Sequence, residues 1–580
     1  MDGCCVEVDM ETGKQGNEET RRQGILESLS TCIPVSLYAS RTLLWLLPLS
    51  FLAILFFFPL SKILSLTFNL ETLTPENLRI ANFALRFTFY QAFLSTLLTL
   101  LLGLPSAVLF ARYDFRGKSI LRALTAVPFM LPTVVVAASF NALLGQRGLL
   151  STFFPLSSFP FTGTLTAILV AHVFYNTTII IRIVGATLSS LDPKLEQTAR
   201  SLGADSFRVW WNVTLPLLRP SILAATLLVF LFDFTSFGVI LLLGGSQFST
   251  LEVEIYFQAV RQLNLPLAAL LSIIQLLCTL IFSILYSYLV TRNSPQLAPR
   301  STQNRKPKNL REKIFVTTFL FLLSSFFLLP LSSLPIRSLF RLDADRGQRG
   351  EVQYGFTTDY YTELFINRRD SVFYVPPFQA ILNSLTYASA TVLLSILLGF
   401  PAAFALAKPT RLEKILDPLI MLPLGSSAVM LGLGFIITYG KWLTSPLLVP
   451  FAHTLIALPF VIRALQPAIA SIPERLRQAA SSLGASPFEV WKNIDFPILR
   501  RATIAAGTFA FTISLGEFGA TLLISRPEYP TIPVAIERFL SQPGGLNYGQ
   551  AMAMASILMT VTVTSILLIE KFRLPNAGEF

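Results

Sequence analysis

Apolar runs of about 20 residues, cut by short polar stretches, recur along this chain of 580 residues. Runs of that length cross a bilayer as helices. The pattern predicts spans near Leu43–Thr67, Phe83–Phe110, Leu121–Leu144, Leu165–Ile183, Ile222–Leu243 and Leu267–Val290. A second set follows near Ile314–Leu334, Phe378–Ala407, Ile415–Tyr439, Leu447–Ile462, Thr503–Leu523 and Ala551–Ile569. The expected fold class is an all-α polytopic membrane protein of about 12 transmembrane helices. Residues 1–40 are polar and read as a mostly disordered extension; 291–313 form a basic linker and 571–580 a short tail.

The polar stretch Leu191–Pro220 occurs twice. It aligns without a gap on Ile472–Arg501 at a spacing of 281, where Leu195, Leu202, Gly203, Phe207, Trp210, Asn212 and Pro216 recur as Leu476, Leu483, Gly484, Phe488, Trp491, Asn493 and Pro497. The chain's two histidines, His172 and His453, keep the same spacing, as do Arg182 and Arg463, Phe237-Gly238 and Phe518-Gly519, and Thr250 and Thr531. Upstream, Met130-Leu131-Pro132 matches Met421-Leu422-Pro423 at 291, which places about ten extra residues between the third and fourth spans of the first half. The expectation is a duplicated six-span unit, residues 41–290 and 314–570, with both copies in one orientation because six is even.

Composition fixes the surroundings. Hydrophobic residues make up 53% and charged residues 13% of the chain, against about 25% charged in soluble domains. The net charge of +12 is not a nucleic-acid signal, because Lys and Arg gather in the short loops. Arg112, Arg116, Lys118 and Arg122 lie in one, and Lys408, Arg411 and Lys414 in its counterpart. That puts these loops, the linker, both repeated stretches and both termini at the cytoplasmic face of a membrane. Cys4, Cys5, Cys32 and Cys278 have neither metal-ligand nor disulfide spacing.

Each repeated stretch reads as helix, glycine, helix. Asp192-Pro193 predicts an N-cap with proline at the first helical position, and Ser471-x-x-Glu474 and Ser486-x-x-Glu489 have capping-box spacing. Gly203 and Gly484 supply the left-handed residue that ends the first helix. Phe207 and Trp210, like Phe488 and Trp491, are expected one turn apart, and Pro216 and Pro497 are expected to stop the second helix. The aromatics could pack under the protein's own membrane domain. Two matching copies at one face favour instead a docking surface for a partner that is itself a pair.

The pattern resembles the EAA loop of permease subunits of ATP-binding-cassette importers. It stands as Gln197-Thr198-Ala199, Gly203, Val213, Leu215-Pro216, and as Gln478-Ala479-Ala480, Gly484, Ile494, Phe496-Pro497, with Gln where the motif has Glu. The resemblance implies two type I importer, MetI-like halves, fused as in iron(III) and thiamine permeases. The run Phe237–Gln258 is somewhat more similar to the thiamine type. It implies a gate without a catalytic centre or cofactor. ATP and magnesium would belong to a separate ATPase pair, seated on Gln197, Ala199, Leu202, Gly203, Phe207 and Trp210, and on Gln478, Ala480, Leu483, Gly484, Phe488 and Trp491. A solute-binding protein would deliver substrate on the outer face. Consistently, Gly117-Lys118-Ser119 has Arg112 where a Walker A motif needs its leading Gly.

Carboxylates inside spans are functional candidates. Asp233 and Glu517 sit three residues from Ser236 and Ser514, in swapped order between the halves. These four either line the central path and favour a cation, or are bonded within the helix bundle. His172 and His453 are read as packing or interhelical hydrogen-bonding residues, without a metal. The competing expectation is a self-contained twelve-span secondary transporter, driven by an ion gradient through Asp233 and Glu517.

Overall fold

The computed structural model describes residues 43–68, 72–153, 161–293, 305–342, 354–366, 376–442 and 445–572. The predicted extension 1–40, residues 294–304 of the linker and residues 573–580 of the tail fall outside them. Among the described residues eleven helices are long and apolar enough to cross a membrane, and a bent pair, counted as one span, makes twelve. In the first half they are span 1 (Leu43–Thr67), span 2 (Pro75–Arg112), span 3 (Thr133–Ser151), span 4 (Leu165–Ser190), span 5 (Ser206–Phe234) and span 6 (Leu265–Leu289). The second half supplies span 7 (Leu310–Leu339), span 8 (Pro377–Leu406), the bent pair as span 9, span 10 (Leu448–Ala470), span 11 (Phe488–Gly516) and span 12 (Gly545–Leu568).

Two expectations about continuity are corrected. The apolar run 121–144 is not one helix: Lys118–Met130 ends, Leu131 and Pro132 are extended, and a new helix starts at Thr133. Proline disfavours helical backbone at the residue before it, so Leu131-Pro132 is a natural break. The counterpart, Arg411–Gly425 followed by Ala428–Tyr439, is bent by 94° across extended Ser426 and Ser427. The breaks therefore pair Thr133 with Ala428, 295 apart, and not the two Met-Leu-Pro runs. Secondly, Pro216 and Pro497 do not stop their helices. Each lies in the first turn of an α-helix that continues a five-residue π segment, Trp210–Thr214 or Trp491–Asp495. The second loop helix thus runs unbroken into span 5, or into span 11.

Small residues let the inner spans approach closely, as membrane helix packing requires. A Cβ on Gly103 of span 2 would lie 2.6 Å from Ile180 of span 4, and one on Gly399 of span 8 would lie 2.9 Å from Val461 of span 10. Ile180 and Val461 are 281 apart, so the same approach is built twice.

The first span of each half packs on the other half. In span 1, Trp45 donates to Glu413 at 3.3 Å, Phe51 meets Phe451 with ring centroids 6.2 Å apart, and Tyr439 donates to the Ile54 carbonyl at 2.7 Å. In span 7, Ser333 donates to the Ser139 carbonyl at 2.9 Å, and Phe326 and Phe327 flank Phe174. Beyond span 7 the chain forms a small hairpin, Phe340–Arg341 with Gly355–Phe356.

Candidate functional site

The first loop helices are Pro193–Ser201 and Glu474–Ser482, and neither buries a residue. Asp192 accepts from the Lys194 amide at 2.9 Å, as expected of its N-cap. Ser471 does not cap; its hydroxyl bonds the Ala468 carbonyl, and Glu474 is held by Lys408 instead. The capping box of Ser486 and Glu489 forms, with the Ser486 amide 2.7 Å from Glu489 and the Glu489 amide 3.4 Å from Ser486. Gly203 and Gly484 have φ of +86° and +85°, and an added Cβ would meet nothing within 4 Å. Glycine is needed there for backbone conformation alone.

What the loops present is apolar and exposed. Leu202 is 83% and Leu483 89% exposed, and Phe207 and Phe488 are 71% and 66% exposed. Gln197 and Gln478 are exposed beside them, and Ala199 and Ala480 lie half-buried. The aromatic pairing differs between copies. Phe488 stacks on Trp491, with centroids 6.1 Å apart, whereas Phe207 stacks on Trp211 at 6.2 Å and not on Trp210. Trp210 is half-buried beneath the Arg112 guanidinium, 5.5 Å from the ring centroid. Trp211 was missed because tandem tryptophans leave two candidates and the π segment shifts the register.

The cation that ends the long second helix of each half reaches its loop. Arg112 bonds Glu196, and Lys408 bonds Glu474. Glu196 also accepts from Thr214 at 2.8 Å, closing the loop's two helices on each other. At the equivalent positions Arg477 donates to Asp495 at 2.9 Å. The acid absent at Gln197 and Gln478 is thus supplied one residue earlier at Glu196, and at Glu474 in the other loop. The Lys408 hydrogen bond holds the Glu474 carboxyl below the usual glutamate range.

Asp233 and Glu517 are both buried, and each is bonded within its own half. Asn176 donates to Asp233 at 2.7 Å, and the Ala520 and Thr521 amides donate to Glu517 at 2.8 and 3.0 Å. Each histidine sits among a carboxylate and two hydroxyls; on the acid-facing nitrogen the hydroxyl is the nearer, Ser95 lying 2.9 Å from His172 Nδ1 and Thr521 2.7 Å from His453 Nε2. His172 has Nδ1 3.4 Å from Asp233 and Nε2 2.8 Å from Ser236; His453 has Nδ1 2.7 Å from Ser514 and Nε2 3.2 Å from Glu517. Equivalent ring nitrogens therefore face equivalent positions, with acid and hydroxyl exchanged. Sequence spacing found all six residues but did not join the histidines to the carboxylates.

Immediately beyond these clusters the halves meet. Phe237 and Phe518 stack with centroids 5.6 Å apart and planes 29° from parallel. Gly238 permits the approach, since a Cβ there would lie 2.4 Å from the Thr133 hydroxyl and 3.2 Å from the Phe518 ring. Tyr256 packs edge-on against Phe237 at 5.7 Å. Another cross-half tie joins Ser427 to Glu252 at 2.8 Å.

The family described as binding-protein-dependent transport system inner membrane component matches the chain twice, over residues 99–295 and 395–572. A thiamine transport system permease protein of Brucella abortus (strain 2308) is 28% identical over 486 residues, covering 82% of this chain and 84% of the relative. The Escherichia coli (strain K12) protein of the same description is 27% identical over 496 residues, covering 82% and 87%. A ferric transport system permease protein of Actinobacillus pleuropneumoniae is 25% identical over 545 residues, covering 90% and 77%.

Proposed function

The chain belongs to the binding-protein-dependent transport system inner membrane components, and on that premise we propose that its two loops couple it to a separate pair of ATPase subunits. It is a multi-pass permease of two tandem MetI-like halves, of the kind that serves thiamine or ferric import in its relatives. The observation that carries the coupling is the duplicated exposure of Leu202-Gly203 with Phe207 and of Leu483-Gly484 with Phe488 at one face. Exposed apolar side chains of that size mark a protein interface.

The loops transmit displacement because their second helices are the starts of spans 5 and 11. A push on Phe207 or Phe488 travels along a helix of 29 residues to the break beside Ser236 or Glu517. There the histidine clusters hold the broken end to span 4 or span 10. A solute-binding protein delivers cargo at the opposite face, and both termini lie with the loops in the cytoplasm. The cargo is thiamine-like or iron(III), the substrates named for the relatives.

Co-purification tests this. The intact chain should capture its ATPase, and Leu202→Asp with Leu483→Asp should release it while leaving the chain in the membrane. Gradient-driven uptake by the chain alone, with no ATPase, would overturn the proposal in favour of a secondary transporter.

A further inference from the structure

Residues related by an internal two-fold touch each other only where the axis passes between them. Phe237 and Phe518, 281 apart, do so. Tyr256, which packs edge-on against Phe237 at 5.7 Å, is a third aromatic at this seam. A path bounded by two parallel-related halves runs along their axis, so the stacked rings lie across it. Span 5, at 29 residues, rises about 40 Å from the loop, which sets the rings towards the face opposite the loops.

Resting on the permease reading above, we propose that the Phe237–Phe518 pair is the constriction of the path, and that with Tyr256 it selects a flat organic cation. Ring faces carry negative quadrupole and attract cations, most of all once these are desolvated. A ferric ion needs a set of oxygen or nitrogen ligands, which ring faces do not offer. Asp233 and Glu517, the carboxylates that the sequence singles out, are committed to Asn176 and to the Ala520 and Thr521 amides.

The full chain in phosphatidylcholine vesicles, without ATPase or binding protein, reads the constriction directly. Phe237→Ala with Phe518→Ala should raise passive thiamine efflux about tenfold over the parent; a parent-like seal overturns the constriction. With the ATPase pair and the solute-binding protein added back, Phe237→Leu with Phe518→Leu should keep the seal yet lower ATP-driven thiamine uptake about tenfold, and parent-like uptake overturns selection by aromatic faces. ATP-driven uptake of ferric ion that outpaces thiamine in the parent overturns the organic-cation assignment. Phe237→Cys with Phe518→Cys guards against misfolding: a short cleavable thiol cross-linker should stop uptake, and cleavage should restore it, whereas no cross-link overturns the pairing. Efflux needs no partner, so a chain that captures no ATPase sinks the coupling reading and leaves the leak result standing.

Discussion

The two halves of this permease keep one geometry and change the chemistry that holds it. Glu196 closes the first loop through Thr214 and Arg112; the second is closed by Arg477 on Asp495 and by Lys408 on Glu474. Asp233 and Ser236 flank His172 where Ser514 and Glu517 flank His453. A position in the repeat thus specifies a contact, and either charge or either partner can supply it. The shape is common to both halves, while each ion pair has only to be satisfied locally.

The comparison is broken most severely at the exposed leucines. Leu202→Asp and Leu483→Asp should each weaken ATPase capture by about 2 kcal/mol or more, measured by titrating the ATPase onto the detergent-solubilised chain. If the loops are equivalent, the single variants match; a twofold-symmetric partner gives no reason for one to be silent. Next in size are the buried clusters. Asp233→Ser leaves Asn176 and His172 without their carboxylate and should cost about 2–3 kcal/mol, read from thermal unfolding. Ser236→Glu in the same chain returns an acid to His172 in the order that Ser514 and Glu517 have around His453, and should recover part of that loss if position and not residue type is what the repeat specifies.

A smaller effect separates the tethers. Arg112→Ala removes the Glu196 contact together with the cover over Trp210 and should cost about 1–2 kcal/mol. Lys408→Ala breaks a pair exposed on both sides and should cost less than about 0.5 kcal/mol; equal losses would show that the first loop is not the more firmly held. The smallest effect is one of pH. The folded Glu474 carboxyl is held below its ordinary value of 4.5 by Lys408. Its contribution is therefore complete above that value and fades as the pH falls through the folded one. Hydrogen exchange of residues 474–482 should quicken only in that acid window, and quickening near neutral pH would contradict the tether.

Much of this was legible beforehand because it rests on local rules. Apolar length gave the spans, spacing gave the duplication, and Gly203 and Gly484 marked loop turns whose left-handed backbone the structure contains. Hydropathy could not see the breaks at Leu131-Pro132 and Ser426-Ser427, because both sides are apolar. Periodicity could not choose between Trp210 and Trp211, since a π segment offsets the count. Nor could any local pattern name partners far apart in sequence. The Phe237–Phe518 stack and the exchange of spans 1 and 7 depend on which faces meet, and lipid-facing and protein-facing leucines look alike in a sequence.

That exchange has a consequence for how the protein is made. The wall that span 7 provides for the first half is synthesised only after the first half and the linker have left the ribosome. Until Ser333 reaches Ser139 and the phenylalanines of span 7 reach Phe174, the nascent first half shows an unfinished flank to lipid and to quality control. Span 1 waits as long for Glu413 and Phe451. A gene severed at the linker would have to bring two incomplete products together by diffusion in the bilayer, whereas the single reading frame delivers each missing piece at an assured one-to-one ratio.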